Sequence, residues 1–83
     1  MRRYYFHLRN HAGRALDEAG ILLPDRSSAV REALHAARAI MRTPSDVAVA
    51  DAWRGWQMEV VDDEGTPILI LPFRSALLRN MRE

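Results

Sequence analysis

The chain has 83 residues, 48% hydrophobic and 28% charged, which excludes wholesale disorder, a coiled coil and a disulfide miniprotein and leaves one domain with a modest core. It contains no cysteine, so disulfides, thiolate metal sites and a cysteine nucleophile are excluded, and a reducing compartment fits. A formal net charge of +1 argues against strong nonspecific nucleic-acid binding.

The first predicted element is a strand over Arg3-Tyr4-Tyr5-Phe6-His7-Leu8-Arg9. Strict alternation sends Tyr4, Phe6 and Leu8 toward a core and Arg3, Tyr5, His7 and Arg9 toward water or a partner. Asn10-His11-Ala12-Gly13 reads as a hairpin turn, and the chain returns through Ala15 to Leu23. Asp17-Glu18-Ala19-Gly20 interrupts that return, so the second strand is expected to be short or bulged, with Ile21-Leu22-Leu23 as its firmest part. Asp25 is placed to cap a helix running to about Met41, whose apolar face is Val30, Ala33, Leu34, Ala37, Ile40 and Met41 and whose polar face is Arg31, Glu32, His35, Arg38 and Arg42. Its alanines keep the buried stripe shallow, so the helix can lie close to a sheet.

Thr43-Pro44-Ser45-Asp46 stops that helix and also resembles the start of a short second one through Ala52, although the alternation in Val47 to Ala50 could also be extended. Trp56-Gln57-Met58-Glu59-Val60-Val61 alternates again, with Trp56, Met58 and Val60 on one face. Asp62-Asp63-Glu64-Gly65 is the next turn, where Gly65 supplies a positive φ. Pro67 to Leu71 carries apolar residues on both faces and reads as a central or doubly covered strand, ended by Pro72. Arg74 to Met81 reads as a short terminal helix. The order is β-β-α-β-β-α: one α+β domain over residues 1–83, a four-stranded antiparallel sheet with the main helix on one face.

All 12 basic residues are Arg, which codon bias in a GC-rich genome explains without any binding role. Their distribution is uneven. Residues 1–42 hold eight Arg against four acids (net +4), residues 43–73 one Arg against six acids (net −5), and residues 74–83 three Arg against one Glu (net +2). Such segregation permits a local basic patch or head-to-tail pairing between molecules.

No catalytic constellation is legible. Ser27, Ser28, Ser45 and Ser75 fall where helix caps and first turns are expected, and the isolated glycines form no phosphate-binding loop. Asp62-Asp63-Glu64 is too short for a calcium loop and reads as a solvated hairpin tip. His7, His11 and His35 lie on a strand, a turn and a helix without metal-ligand spacing, so no metal and no cofactor is expected. Trp56 is assigned to the core; Trp53 could be core or an exposed anchor.

Taken together, the Arg3 to Arg9 strand, Asp17-Glu18-Ala19-Gly20, Leu23-Pro24-Asp25, Arg31-Glu32-Ala33, Trp56 to Val60, Asp62 to Gly65 and Leu71-Pro72-Phe73 resemble a family of small bacterial proteins classed only as a domain of unknown function. That resemblance covers most of the chain and implies the fold, with no activity, cofactor or catalytic residue to carry over. A looser resemblance, over residues 3–42, is to the HicB-type antitoxin domain. The turn before the helix in that family is not clearly reproduced, and no helix-turn-helix or ribbon arm follows.

The expectation is therefore a non-enzymatic interaction domain, self-associating or binding a protein partner, with Arg3, Tyr5, His7 and Arg9 as its candidate face. A nucleic-acid-associated regulator, or a HicB-like antitoxin-type domain, is the alternative. The N-terminus alternates after Met1-Arg2-Arg3 instead of running apolar, and no apolar run reaches membrane-spanning length. A cytoplasmic location without membrane contact is expected, and no small-molecule substrate is indicated.

Overall fold

A computed structural model describes residues 1–41 and 55–75. The second helix expected over 43–52, Trp53, and most of the expected terminal helix lie outside those residues. Strand β1 (Arg2–Asn10) is central, and its length lets it carry partners along both edges. On one edge it pairs antiparallel with β4 (Gln57–Val61), which in turn pairs with β5 (Pro67–Pro72). On the other edge it pairs with two short strands, β2 (Gly13–Ala15) and β3 (Ile21–Leu23), followed by helix α1 (Arg26–Met41). Among the described residues the sheet thus has five strands, in the order β2-β1-β4-β5 with β3 beside β1, where the sequence predicts four.

The extra strand comes from breaking the second one in two, and register shows how. Leu8 pairs with Ala15 while Tyr4 pairs with Ile21, so the three residues Tyr5 to His7 face the five residues Leu16 to Gly20. Two surplus residues cannot stay in the ladder and bow out as a wide bulge. The interruption at Asp17 to Gly20 is therefore a change of register within one sheet edge.

Register also assigns the faces. Phe6 sits opposite Val60, Leu8 opposite Met58, and Met58 opposite Leu71, which puts these side chains with Tyr4 and Leu69 on the face that α1 covers. Tyr4, Met58, Val60, Leu71 and Phe73 are buried there. The helix contributes Ala29, Ala33, Ala37 and Met41, a stripe repeating every four residues, and the three alanines are fully inaccessible. Methyl-sized side chains bring the helix axis close to the strands, and Leu34 and Ile40 pack from the flanks. Asp25 caps the helix as its sequence position predicts: its Oδ1 accepts the Ser28 N–H at 2.8 Å.

Two expectations about the second hairpin are corrected. Among the described residues strand β5 lies at the sheet edge, with Ile70 half-exposed, so apolar residues on both faces mark an edge strand here and not a doubly covered one. Its prolines explain how that edge is tolerated. Phe73 N–H donates to the Trp56 carbonyl at 3.1 Å, and ladder bonds alternate, so Pro72 opposite Gln57 falls where no inward amide is needed. The acidic tip is also only partly solvated. Asp63 and Glu64 are exposed, but Asp62 is buried and organises the turn, its Oδ1 accepting the N–H groups of Glu64 and Thr66, both at 2.9 Å. Gly65 completes the turn with φ near +82°, as expected.

Candidate functional site

The sheet face turned away from α1 contains all four residues singled out from the alternation. Arg3, Tyr5, His7 and Arg9 lie along it, and register adds Leu22 beside Arg3, Glu59 beside His7, and Ile70 beyond Glu59. The centre of this face is polar and aromatic. Leu22 and Ile70, about half-exposed, stand at its two margins.

The four side chains are half-buried, and each has an intramolecular partner. The Arg3 guanidinium donates to the Ala19 carbonyl at 2.8 Å. Tyr5 and His7 stack with ring centroids 6.3 Å apart and an interplanar angle of 20°. Arg9 pairs with Glu59 at 3.2 Å, and the Glu59 side chain retains only 13% exposure. His7 Nδ1 accepts the Asp17 backbone N–H at 3.0 Å, which the imidazole can do only in the tautomer with its proton on Nε2.

Asp17 is the residue that sequence reasoning left out of the site. Where β2 and β3 part, the Phe6 N–H on β1 has no strand carbonyl opposite it, and Asp17 Oδ2 takes that place at 3.1 Å. The other oxygen accepts the N–H groups of Ala19 at 3.2 Å and Gly20 at 3.1 Å, closing the bulge on itself. Burial alone would push the Asp17 carboxyl up, but the amides of Gly20, Phe6 and Ala19 outweigh it and hold the group below its usual range. The sequence signal was an acid inside a strand interruption, which indicates a break without indicating that a side chain repairs it.

Gly20 then lays the bulge over the face. It adopts φ near +70°, and a Cβ there would come within 2.7 Å of Arg3 Cγ and 3.0 Å of Tyr5 Cε2. Only a residue without a side chain allows this approach in this conformation. The bulge consequently clamps Arg3, Tyr5 and His7 in place, and the face is a preorganised surface. Glu59 was legible from the same alternation that placed Met58 and Val60 in the core, though its pairing with Arg9 requires knowing that β1 and β4 are neighbours.

Among the described residues, no three His, Asp or Glu side chains converge as metal ligands, and no helix is long and apolar enough to cross a membrane. The described residues form a two-layer α+β arrangement, an antiparallel sheet with α1 packed on one face. The chain belongs to the family described as Domain of unknown function (DUF6894), whose model matches residues 3–74, spanning the helix and all of the strands described above except Arg2 of β1. No curated protein and no solved structure matches the chain.

Proposed function

We propose that this chain is a non-enzymatic interaction domain that associates with a second copy of itself, or with a protein partner, through the sheet face opposite α1. The observation that carries the reading is the fixing of Arg3, Tyr5, His7 and Arg9 by Ala19, Asp17, Glu59 and their own stacking. Side chains already held in one geometry lose little conformational freedom on docking, so the entropic cost of association is low. Composition supports the same reading: Tyr and Arg are enriched at interfaces, and apolar Leu22 and Ile70 flank the polar centre. The face also bears both signs of charge, in Arg3, Arg9 and Glu59, so it can complement itself about a two-fold axis.

Sedimentation velocity from micromolar to several hundred micromolar tests this reading. The expected result is a concentration-dependent dimer that Ile70→Arg dissociates, because this half-exposed margin position accepts a charge in the monomer and not in an apolar contact. A wild-type chain that stays monomeric throughout, and that captures no protein through this face, refutes it.

A further inference from the structure

The β1–β2 hairpin carries two arginines side by side. Arg9 and Arg14 are direct cross-strand partners, which puts their Cβ atoms about 5 Å apart on the same face of the ribbon. Like charges placed so are normally destabilising. Glu59 offsets one of them by taking Arg9 Nη1, but Arg14 is exposed and has no hydrogen-bond or ion-pair partner among the described residues. Beside the pair lies an open depression of about 400 Å³ lined by Arg9, Asn10, His11, Ala12, Gly13 and Arg14.

The turn that shapes this depression is itself held without help from a ligand. Its loop residues, His11 and Ala12, have no positive φ, and Asn10 Oδ1 accepts the N–H groups of Ala12 at 2.8 Å and Gly13 at 3.1 Å. Two backbone amides of the tip are therefore satisfied within the turn. What remains uncompensated is the charge on Arg14, beside an Arg9 that Glu59 already pairs, with His11 among the lining residues.

We propose that the Arg9–Arg14 pair and His11 form a binding site for a phosphate-type oxyanion, either free or carried on a nucleic-acid backbone. A tetrahedral oxyanion presents acceptors to both guanidiniums at once, which replaces their mutual repulsion by charge-assisted hydrogen bonds. Arg9 has four N–H donors beyond the single one that Glu59 occupies, and Arg14 has all five. The site lies at the end of the ribbon and shares Arg9 with the sheet face, whereas Arg14 and His11 belong to it alone.

Amide-detected NMR titration of the full chain tests the assignment, with two probes: inorganic phosphate, and a single-stranded oligothymidylate. Phosphate is expected to shift the amides of Asn10 to Arg14 selectively at millimolar concentration, and Arg14→Ala to weaken binding at least tenfold while leaving the rest of the spectrum unchanged. Arg14 makes no contact that the fold depends on, so this variant keeps its structure. An oligonucleotide bound much more tightly than phosphate, with an affinity that falls steeply with salt, identifies the backbone source; equal affinity per phosphate identifies the free anion. Absence of shifts at 10–14 with both probes, or shifts unaffected by Arg14→Ala, overturns the proposal.

Discussion

Replacing Asp17 by Ala removes both oxygens that repair the broken strand, and it does so without touching a buried apolar contact. Three backbone N–H groups lose their acceptor: Phe6 and Gly20, which are part-buried, and Ala19, which is exposed. Water can satisfy Ala19 at little cost. Each of the other two bonds ends on a charged acceptor, where loss costs about 1.5 kcal/mol or somewhat less once solvent reaches the site. The sum is about 2–3 kcal/mol, set against a total stability of about 4–12 kcal/mol for a chain of this size. Asp17→Asn should cost less, about 1–2 kcal/mol, because its single carbonyl can still serve Ala19 and Gly20 while its NH2 group opposes the Phe6 N–H. Urea unfolding followed by circular dichroism reads both values, provided the slope with denaturant is unchanged. An Asp17→Ala midpoint shift equivalent to under about 0.5 kcal/mol, the range of ordinary surface substitutions, would refute the idea that this carboxylate holds the bulge.

Gly20→Ala combines a left-handed backbone with a Cβ pressed onto Arg3 and Tyr5, so thermal unfolding should report a loss of about 1–3 kcal/mol, while Ala at Gly65, where open space surrounds the position, should lose only the conformational part. Ala33→Leu forces three extra carbons into the closest approach of α1 to the sheet, and calorimetry should show destabilisation of about 1–3 kcal/mol or more. Acid should weaken the fold in a defined window. Asp17, Asp25 and Asp62 are all held below the usual carboxylate value of 3.8, for Asp25 chiefly by the Ser28 amide and for Asp62 chiefly by the Thr66 amide. Their stabilising contribution is complete above that unfolded-state value and disappears as pH falls through the lower folded-state values, so the part of the urea midpoint that these carboxylates carry should be lost below about pH 4. The triple variant Asp17→Asn/Asp25→Asn/Asp62→Asn should lose much of that dependence; an unchanged acid slope would show that other groups control it.

Much of the architecture was legible because two periods dominate this sequence. Alternation in Arg3 to Arg9 and in Trp56 to Val61 assigned the sheet faces correctly, and spacing by three and four residues located α1. The helix stripe still came out displaced: Ala29, at the first turn, is fully buried, whereas Val30 is only partly so, because a small side chain lies where the helix crosses nearest the strands. Periodicity reports which way a residue points and not how close the facing layer stands. The failures have a common cause. Asp17, Asp62 and the edge position of β5 depend on which strands are neighbours, and a side chain that substitutes for a missing strand carbonyl leaves no periodic mark. The candidate face was found as four residues of one strand; its Glu59, Leu22 and Ile70 members come from three other strands and needed the register.

Isotope-filtered NMR on a mixture of labelled and unlabelled chains tests the proposed interface most directly, since it records only contacts between molecules. Intermolecular contacts to the Tyr5 ring and to the methyl groups of Leu22 and Ile70, all abolished by Ile70→Arg, are the predicted result. Contacts confined to the exposed side of α1, or none at concentrations where the wild-type chain sediments as a dimer, would contradict the assignment of the sheet face as the interaction surface.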